Sequence, residues 1–445
     1  MVSILPALGQ VREDLVKVLD RSAIERICDE IGYRWRDRSL DPYATLHLFI
    51  LQVLNQNTAM AHLPHLAGEP FTPAAYCRAR QRLPMELFRR LVGSLTRELG
   101  PSGNASRWPG HRVVLIDGSG FSMPDTPELQ AYFGQHGQQQ PGCGFPVAHL
   151  LAVVDAEQGF LRDIVVSPLC THDMAHVAEL HPNLLSGDII VGDRGFCSYA
   201  HLALISQANL HGVLRIHQRQ IVSFHPHRPN AEEASGKGHP TSRWVKRLGK
   251  CDQLVEWRKP QTRPKWMMPE QFAALPETLL VRELKFRIRE PGCRVREVTL
   301  VTTLLDPERY PAAEIARLYR LRWQVEVDLR DLKITLGMDV LKGHKVQTVL
   351  KEVMVFVLVY NLIRLVTTKA AQRQRVSPHR ISFIDALRWL QPPKPHRPLP
   401  ELVVNPTRRG RVEPRCRKRR PKSYPLMTKP RHVLRKLLKK RLDAA

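Results

Sequence analysis

Near residue 106 of this 445-residue chain the hydrophobic pattern changes period, and that change limits the folds open to it. Before it, apolar residues recur at helical spacing over 11–18, 23–31 and 42–54, with no alternating strand pattern, so residues 1–105 are expected to form an all-α unit. After it come strand patterns at 113–117, 147–155 and 160–166, the last two joined across Ala156-Glu-Gln-Gly159 as a hairpin. A helix over 172–180, a buried strand over 188–193, a helix over 198–208 and a strand over 212–216 complete the order β-β-β-α-β-α-β. The expected fold class is therefore α/β. A first core segment spans 106–218, a β-rich insertion 219–297, and a second core segment 298–375 carrying a strand and two long helices. A basic, Pro-rich tail, 376–445, ends the chain.

The formal net charge of +26 points to a polyanionic partner, with nucleic acid ahead of an anionic membrane surface. Residues 391–445 alone hold 18 Lys and Arg against 3 acidic residues, with ten prolines, and such a segment cannot bury enough apolar surface to order itself. Its run Arg415-Cys-Arg-Lys-Arg-Arg420 reads as a DNA-neutralising tail, with a helix near 433–438. Membrane insertion is not expected: the longest clean apolar run, 353–360, is far shorter than the roughly 20 residues a bilayer requires. The start, Met1-Val-Ser-Ile-Leu-Pro-Ala-Leu, has no basic leader with an apolar stretch. The eight cysteines form no CxxC pair, so a reduced, cytoplasmic protein is expected. Cys170 and His172 have no second pair to complete a metal site and read as a loop.

Within the helical unit, residues 59–67, the turn Gly68-Glu69-Pro70 and residues 72–82 weakly resemble a helix-turn-helix whose second helix presents Arg78, Arg80 and Arg82; two packed helices with solvated arginines are the favoured alternative.

The chemistry is concentrated in three places. Tyr319, Arg322, Glu326 and Lys333 follow the spacing Tyr-x2-Arg-x3-Glu-x6-Lys; on one α-helix they project within roughly 60° of each other, with Arg330 beside them. Pro311 and Glu314 suit the start of that helix and Gly337 its C-cap. Such a stripe also suits a solvated face laced with i,i+4 pairs. Asp117 closes Val113-Val-Leu-Ile116 and Asp193 closes Ile189-Ile-Val-Gly192, each placing a carboxylate at the end of a buried strand, although Asp-Gly and Asp-Arg-Gly are also common turns. If the two strands are neighbours, both carboxylates meet at one sheet edge and a helix alongside brings in Glu326. Three carboxylates suit two hard cations such as Mg²⁺. Such a pair, about 3.5–4 Å apart, activates an attacking water or 3′-hydroxyl and stabilises the leaving oxygen. Arg322 and Lys333 would then hold flanking phosphates.

These residues carry a resemblance. The string Tyr319-Arg-Leu-Arg-Trp-Gln-Val-Glu326 with Lys333, together with Ile116-Asp117-Gly118-Ser119 and Gly192-Asp193-Arg194-Gly195-Phe196, resembles the Asp-Asp-Glu transposases of the bacterial insertion sequence 4 family, over about 106–375. The resemblance implies a ribonuclease H-like core with a β-rich insertion, an N-terminal helical domain that helps recognise transposon ends, and a C-terminal region for assembly or DNA binding. It implies cut-and-paste transposition through end nicking, hairpin formation and opening, and strand transfer. Asp117, Asp193 and Glu326 would hold two Mg²⁺ ions, with Mn²⁺ as a substitute, and Tyr319, Arg322 and Lys333 would contact DNA. The implied partners are double-stranded terminal repeats and target DNA, with a homodimer in the synaptic complex. Relatives stack a tryptophan of the insertion on a flipped base; Trp257 is the candidate here, against its packing as an ordinary strand residue. A ribonuclease H-like nuclease without strand transfer, and a catalytically silent DNA-binding relative, are the alternatives.

Overall fold

The computed structural model describes residues 4–99, 108, 110–137, 139–169, 171, 173–220, 222–225, 238–288, 297–391, 398–406 and 427–443. Cys170, His172, the run 415–420 and most of the His/Pro-rich loop lie outside these residues.

Seven helices come first: α1 (Leu5–Val11), α2 (Glu13–Leu19), α3 (Arg21–Glu30), α4 (Pro42–Leu54), α5 (Leu63–Ala67), α6 (Pro73–Arg82) and α7 (Met85–Glu98). Their starts follow from capping: the side chains of Asp20, Asp41 and Thr72 accept from Ala23, Ala44 and Ala75 backbone N–H groups. The helix expected over 11–18 is α2, which begins only at Glu13 because Arg12 is extended (φ −161°) and separates it from α1; the Arg12 guanidinium grips Asp14.

Then follow β1 (Val113–Ser122), α8 (Pro127–Phe133), β2 (Val147–Asp155), β3 (Leu161–Pro168), β4 (Ile189–Gly192), α9 (Tyr199–Gln207), β5 (His211–Arg215), β6 (Thr241–Gly249), β7 (Asp252–Arg258), α10 (Pro269–Ala273), β8 (Thr278–Arg287) and β9 (Glu297–Thr302). The chain closes with α11 (Ala312–Arg320), α12 (Trp323–Arg330), α13 (Val346–Gln374), α14 (Phe383–Leu390) and α15 (Arg431–Leu442). All nine strands form one sheet of order β3-β2-β1-β4-β5-β9-β8-β7-β6. The β1–β4 and β4–β5 pairs are parallel and the rest antiparallel. The insertion's strands thus extend the same sheet, β8 pairing directly with β9.

Two layers cover this sheet. Leu115, Ala152, Val191 and Val213 face α13 and the N-terminal helices in one apolar cluster that also holds Leu8, Phe49, Leu91 and Phe356. Val114, Ile116, Val153 and Ile190 face α9 in a second. The α13 helix passes through the first layer almost wholly buried, as its apolar residues on several faces imply. Among the described residues no helix is long and apolar enough to cross a membrane.

Three expectations change. The segment 172–180 is not a helix but forms short 3₁₀ turns, Asp173–Ala175 and Val177–Glu179, followed by a third at His181–Asn183; Pro182 has no N–H with which to continue an α-helix. Asp117-Gly118 is not a turn: β1 runs on to Ser122, with Asp117 opposite Ala152 in the ladder. Order also extends past residue 391, since Leu399 and Leu402 are buried and Gln374 bonds both the N–H and the carbonyl of Leu402. The helix expected near 433–438 is α15.

Candidate active site

The β1–β4 ladder pairs Leu115 with Val191. Two residues further on, the same register brings Asp117 alongside Asp193. Because side chains alternate along a strand, both are the next positions on the face of Leu115 and Val191, the face covered by α11 to α13. Each carboxylate is held by a backbone N–H just after it: Asp117 Oδ1 accepts from Gly118 N–H at 2.9 Å, Asp193 Oδ1 from Gly195 N–H at 2.6 Å.

The third carboxylate comes from α12, which packs against β1. Sequence spacing placed Tyr319 to Lys333 on one continuous α-helix, but the segment is wound in three ways. Between α11 and α12 the backbone tightens, with Arg322 N–H bonding Tyr319 O and Gln324 N–H bonding Leu321 O, both i to i−3. After α12 it loosens into a π-turn, Asp331–Thr335, closed by Leu336 N–H on Asp331 O. Gly337, at φ +84°, ends the segment, as expected of a C-cap.

This winding sets the contacts. Arg322, nearly buried, donates from Nη2 to Glu326 Oε1 at 2.7 Å, while its Nη1 lies 3.9 Å from Asp117 Oδ2. Lys333 Nζ donates to Ser119 Oγ at 3.0 Å, two residues beyond Asp117 on the same face of β1. Arg330 points elsewhere, pairing with Asp331. Tyr319 is buried, edge-on to Phe286 and Trp323; burial pushes its pKa up to about 12, against the pull of the Arg322 charge. Asp117 is pushed up to about 6, first by burial and also by the Asp193 and Glu326 charges, against the pull of Gly118 N–H and Arg322.

As the side chains stand, no three Asp, Glu, His or Cys residues among the described residues converge closely enough to hold a metal ion. The donor set nonetheless fits a hard divalent cation: all three groups are carboxylates, and Asp117 is desolvated beside like charges that a cation would offset. In this structure Arg322 supplies the positive charge between Asp117 and Glu326.

Other sequence candidates fall outside this constellation. Trp257 is fully buried, its indole N–H donating to Glu283 Oε1 at 2.9 Å, so it packs within the sheet layer, whereas Trp244 on the edge strand β6 is 46% exposed. In α6, Arg78 and Arg82 are exposed but Arg80 is buried, donating to Gln52 and lying over the Phe49 ring. The Lys333–Ser119 bond was missed in the sequence, although Ser119 lies within the motif that flagged Asp117.

The family model for the transposase DDE domain matches residues 108–362. A curated relative, the transposase InsG for insertion sequence element IS4 of Escherichia coli (strain K12), is 27% identical over 400 residues, which cover 85% of this chain and 83% of the relative. A solved structure, the cryo-EM structure of the piggyBac transposase synaptic complex with hairpin DNA, aligns with a TM-score of 0.44 and 10% identity over 88% of this chain and 80% of that one.

Proposed function

The chain belongs to the DDE transposases and is a DNA transposase, and from that premise we propose that it cuts an insertion sequence from its donor and pastes it into target DNA. The reading rests above all on one observation: the strand register brings Asp117 beside Asp193 on the sheet face over which α12 carries Glu326. Strand order β3-β2-β1-β4-β5, antiparallel then parallel, supports a ribonuclease H-like core. Asp117, Asp193 and Glu326 would hold divalent ions, Mg²⁺ with Mn²⁺ as a substitute, which when bound activate a water or 3′-hydroxyl and neutralise the leaving oxygen.

The chain's own residues do the rest. Arg322 moves between the carboxylates and a phosphate of the end, its planar fork suited to either. Lys333, set over Ser119, grips a neighbouring phosphate. Tyr319, buried one turn from Arg322, orients that guanidinium toward DNA near the cleavage point. End nicking, hairpin formation and opening, and strand transfer use this one site. The substrates are double-stranded terminal repeats and target DNA, held by a homodimer in the cytoplasm.

Incubation with the DNA flanking the gene and Mg²⁺ tests this reading. Cleavage at inverted repeats followed by joining of pre-cleaved ends is expected; cleavage with no joining would reduce the protein to a nuclease, and binding with neither to a silent relative.

A further inference from the structure

On the far side of Asp193 from Lys333 lies a knot of basic side chains. Strands β4 and β5 are parallel neighbours, paired Gly192 with Leu214, so the loops that leave them at Asp193 and at His217 lie side by side. Arg194 Nη1 donates to Gln218 Oε1 at 2.6 Å, which ties the two loops together. The rings of His217 and His239, the latter just before β6, stack with centroids 5.1 Å apart and planes 23° from parallel. Arg219 N–H donates to His217 Nδ1 at 3.3 Å.

Among the described residues, every charge that shifts the two rings is positive. Burial comes first, then Arg219 and Arg194, in holding His217 below its ordinary value; burial, then His217 and Arg219, do the same to His239. Among the described residues neither Arg194 nor Arg219 forms an ion pair with a carboxylate, and both are exposed. Clustered cations with no counter-ion repel one another, and an anion that settles among them offsets that cost. Arg322 and Lys333 serve the β1 side of the carboxylates, whereas this group sits on the β5 side.

We propose that Arg194, His217, Arg219 and His239 form a phosphodiester-binding subsite for a second DNA segment, distinct from the element end held by Arg322 and Lys333. The inference rests on the transposase reading above, since joining brings two phosphodiester chains to one set of carboxylates. The segment is either the donor flank before cleavage or the target strand before joining; both present the same phosphates.

Binding by the full-length protein without divalent metal tests it, on three DNAs: a pre-cleaved end, an end with its donor flank, and a branched end–target product. The Arg194→Ala, Arg219→Ala double variant, checked for a native circular dichroism spectrum, is expected to bind the flanked end or the branched product about tenfold more weakly. Its log–log salt slope on that DNA should fall by about two, with binding to the pre-cleaved end unchanged. Loss on the flanked end assigns the donor flank and loss on the product assigns the target strand. The Arg194→Lys, Arg219→Lys variant should retain the wild-type salt slope. Wild-type binding of all three DNAs by the alanine variant, or equal loss on all three, would overturn the subsite. No turnover is needed, so a wild-type protein that failed to cleave would refute the transposition chemistry and leave this result standing.

Discussion

Lys333 reaches Ser119 across 214 residues of chain, and it does so from a π-turn that re-aims it after α12. The bond fixes a flexible, strongly hydrated ammonium two residues beyond Asp117. Removing the hydroxyl frees the amine without removing its charge. Ser119→Ala is therefore expected to lower end cleavage several-fold, and Lys333→Ala by a further tenfold or more, with thermal stability changed by less than about 1 kcal/mol in either case. Equal rates for Ser119→Ala and the wild type in single-turnover cleavage would remove Ser119 from the positioning of Lys333.

Asp117 gives an opposite pairing of stability and activity. Its folded pKa, about 6, lies above the ordinary carboxylate value, so its stabilising contribution is complete at low pH and is lost as pH rises through 6. At neutral pH the ionised group sits in the fold at a cost of roughly 1–3 kcal/mol. Asp117→Asn keeps the acceptor for Gly118 N–H and removes the charge. We expect it to melt higher than wild type at pH 7.5 without divalent metal, to lose that advantage as pH falls toward 4, and to lose cleavage by at least about a thousandfold with DNA binding retained. A lower melting temperature at pH 7.5 would contradict the electrostatic account; substantial cleavage would contradict the site. Asp193→Asn and Glu326→Gln should match it in lost cleavage.

What the sequence disclosed and withheld at this site has a physical pattern. The strand over Ile189–Gly192 and the helix Tyr199–Gln207 were legible because a four-residue apolar run and a Ser198 cap are local signals. The true length of β1 was not, because Asp117-Gly118 is a turn pair by local preference, and only the ladder to β2 holds it extended. Glu326 and Arg322 were read correctly as one-turn neighbours. Tyr319 lay on the same ideal stripe, yet it packs edge-on to Phe286 of β8, a strand 33 residues away in sequence that no helical periodicity could anticipate. The single sheet formed by core and insertion was equally hidden, since strand partners across 219–297 depend on long-range pairing.

Buried histidines set the acid limit of the fold. His379 Nε2–H donates to Ala156 O at 3.0 Å while its Nδ1 accepts from Arg364, so both nitrogens are committed in the neutral form. His201 Nδ1–H donates to Phe196 O, and its Nε2 faces His181 Nε2 at 3.2 Å, which requires one ring to stay an acceptor. Burial pulls His379 and His181 to about 4 and His201 to about 3. The unfolded chain therefore takes up protons near pH 6.5 that the fold refuses, and this contribution to stability is complete above that pH and is lost as pH falls toward 4. His379→Gln keeps the donor to Ala156. Its stability deficit relative to wild type should shrink by about 1–2 kcal/mol between pH 7 and 4.5 in urea titrations. Parallel pH profiles would show that His379 titrates normally in the fold.

Over the described residues 398–406 the basic end of the chain packs on the core: Leu399 and Leu402 are buried, and Arg373 and Gln374 bond their backbone. Beyond residue 406 lie 16 Lys and Arg against two acids. The α15 helix among them is tied to the core at its first residue, through Arg431 on Asp125 at 2.9 Å and over the Phe145 ring, while Leu437, Leu438 and Leu442 are exposed. Among the described residues, ending the chain after Pro406 removes the Arg431–Asp125 ion pair, worth about 1 kcal/mol or less, with the Arg431 contacts to Phe145 and Gly144 O and most of the tail's charge. The truncated protein is expected to melt within a few degrees of wild type but to bind DNA more weakly, with a log–log salt slope shallower by several units. Ending it after Leu390 also strips Leu399 and Leu402 from the α13 layer and should destabilise the fold by about 2–5 kcal/mol. If the 406 truncation binds DNA with the wild-type salt slope, the charge beyond it makes no phosphate contact, and DNA is held by the +12 (26 less 14) that remains in the core and the helices that precede it.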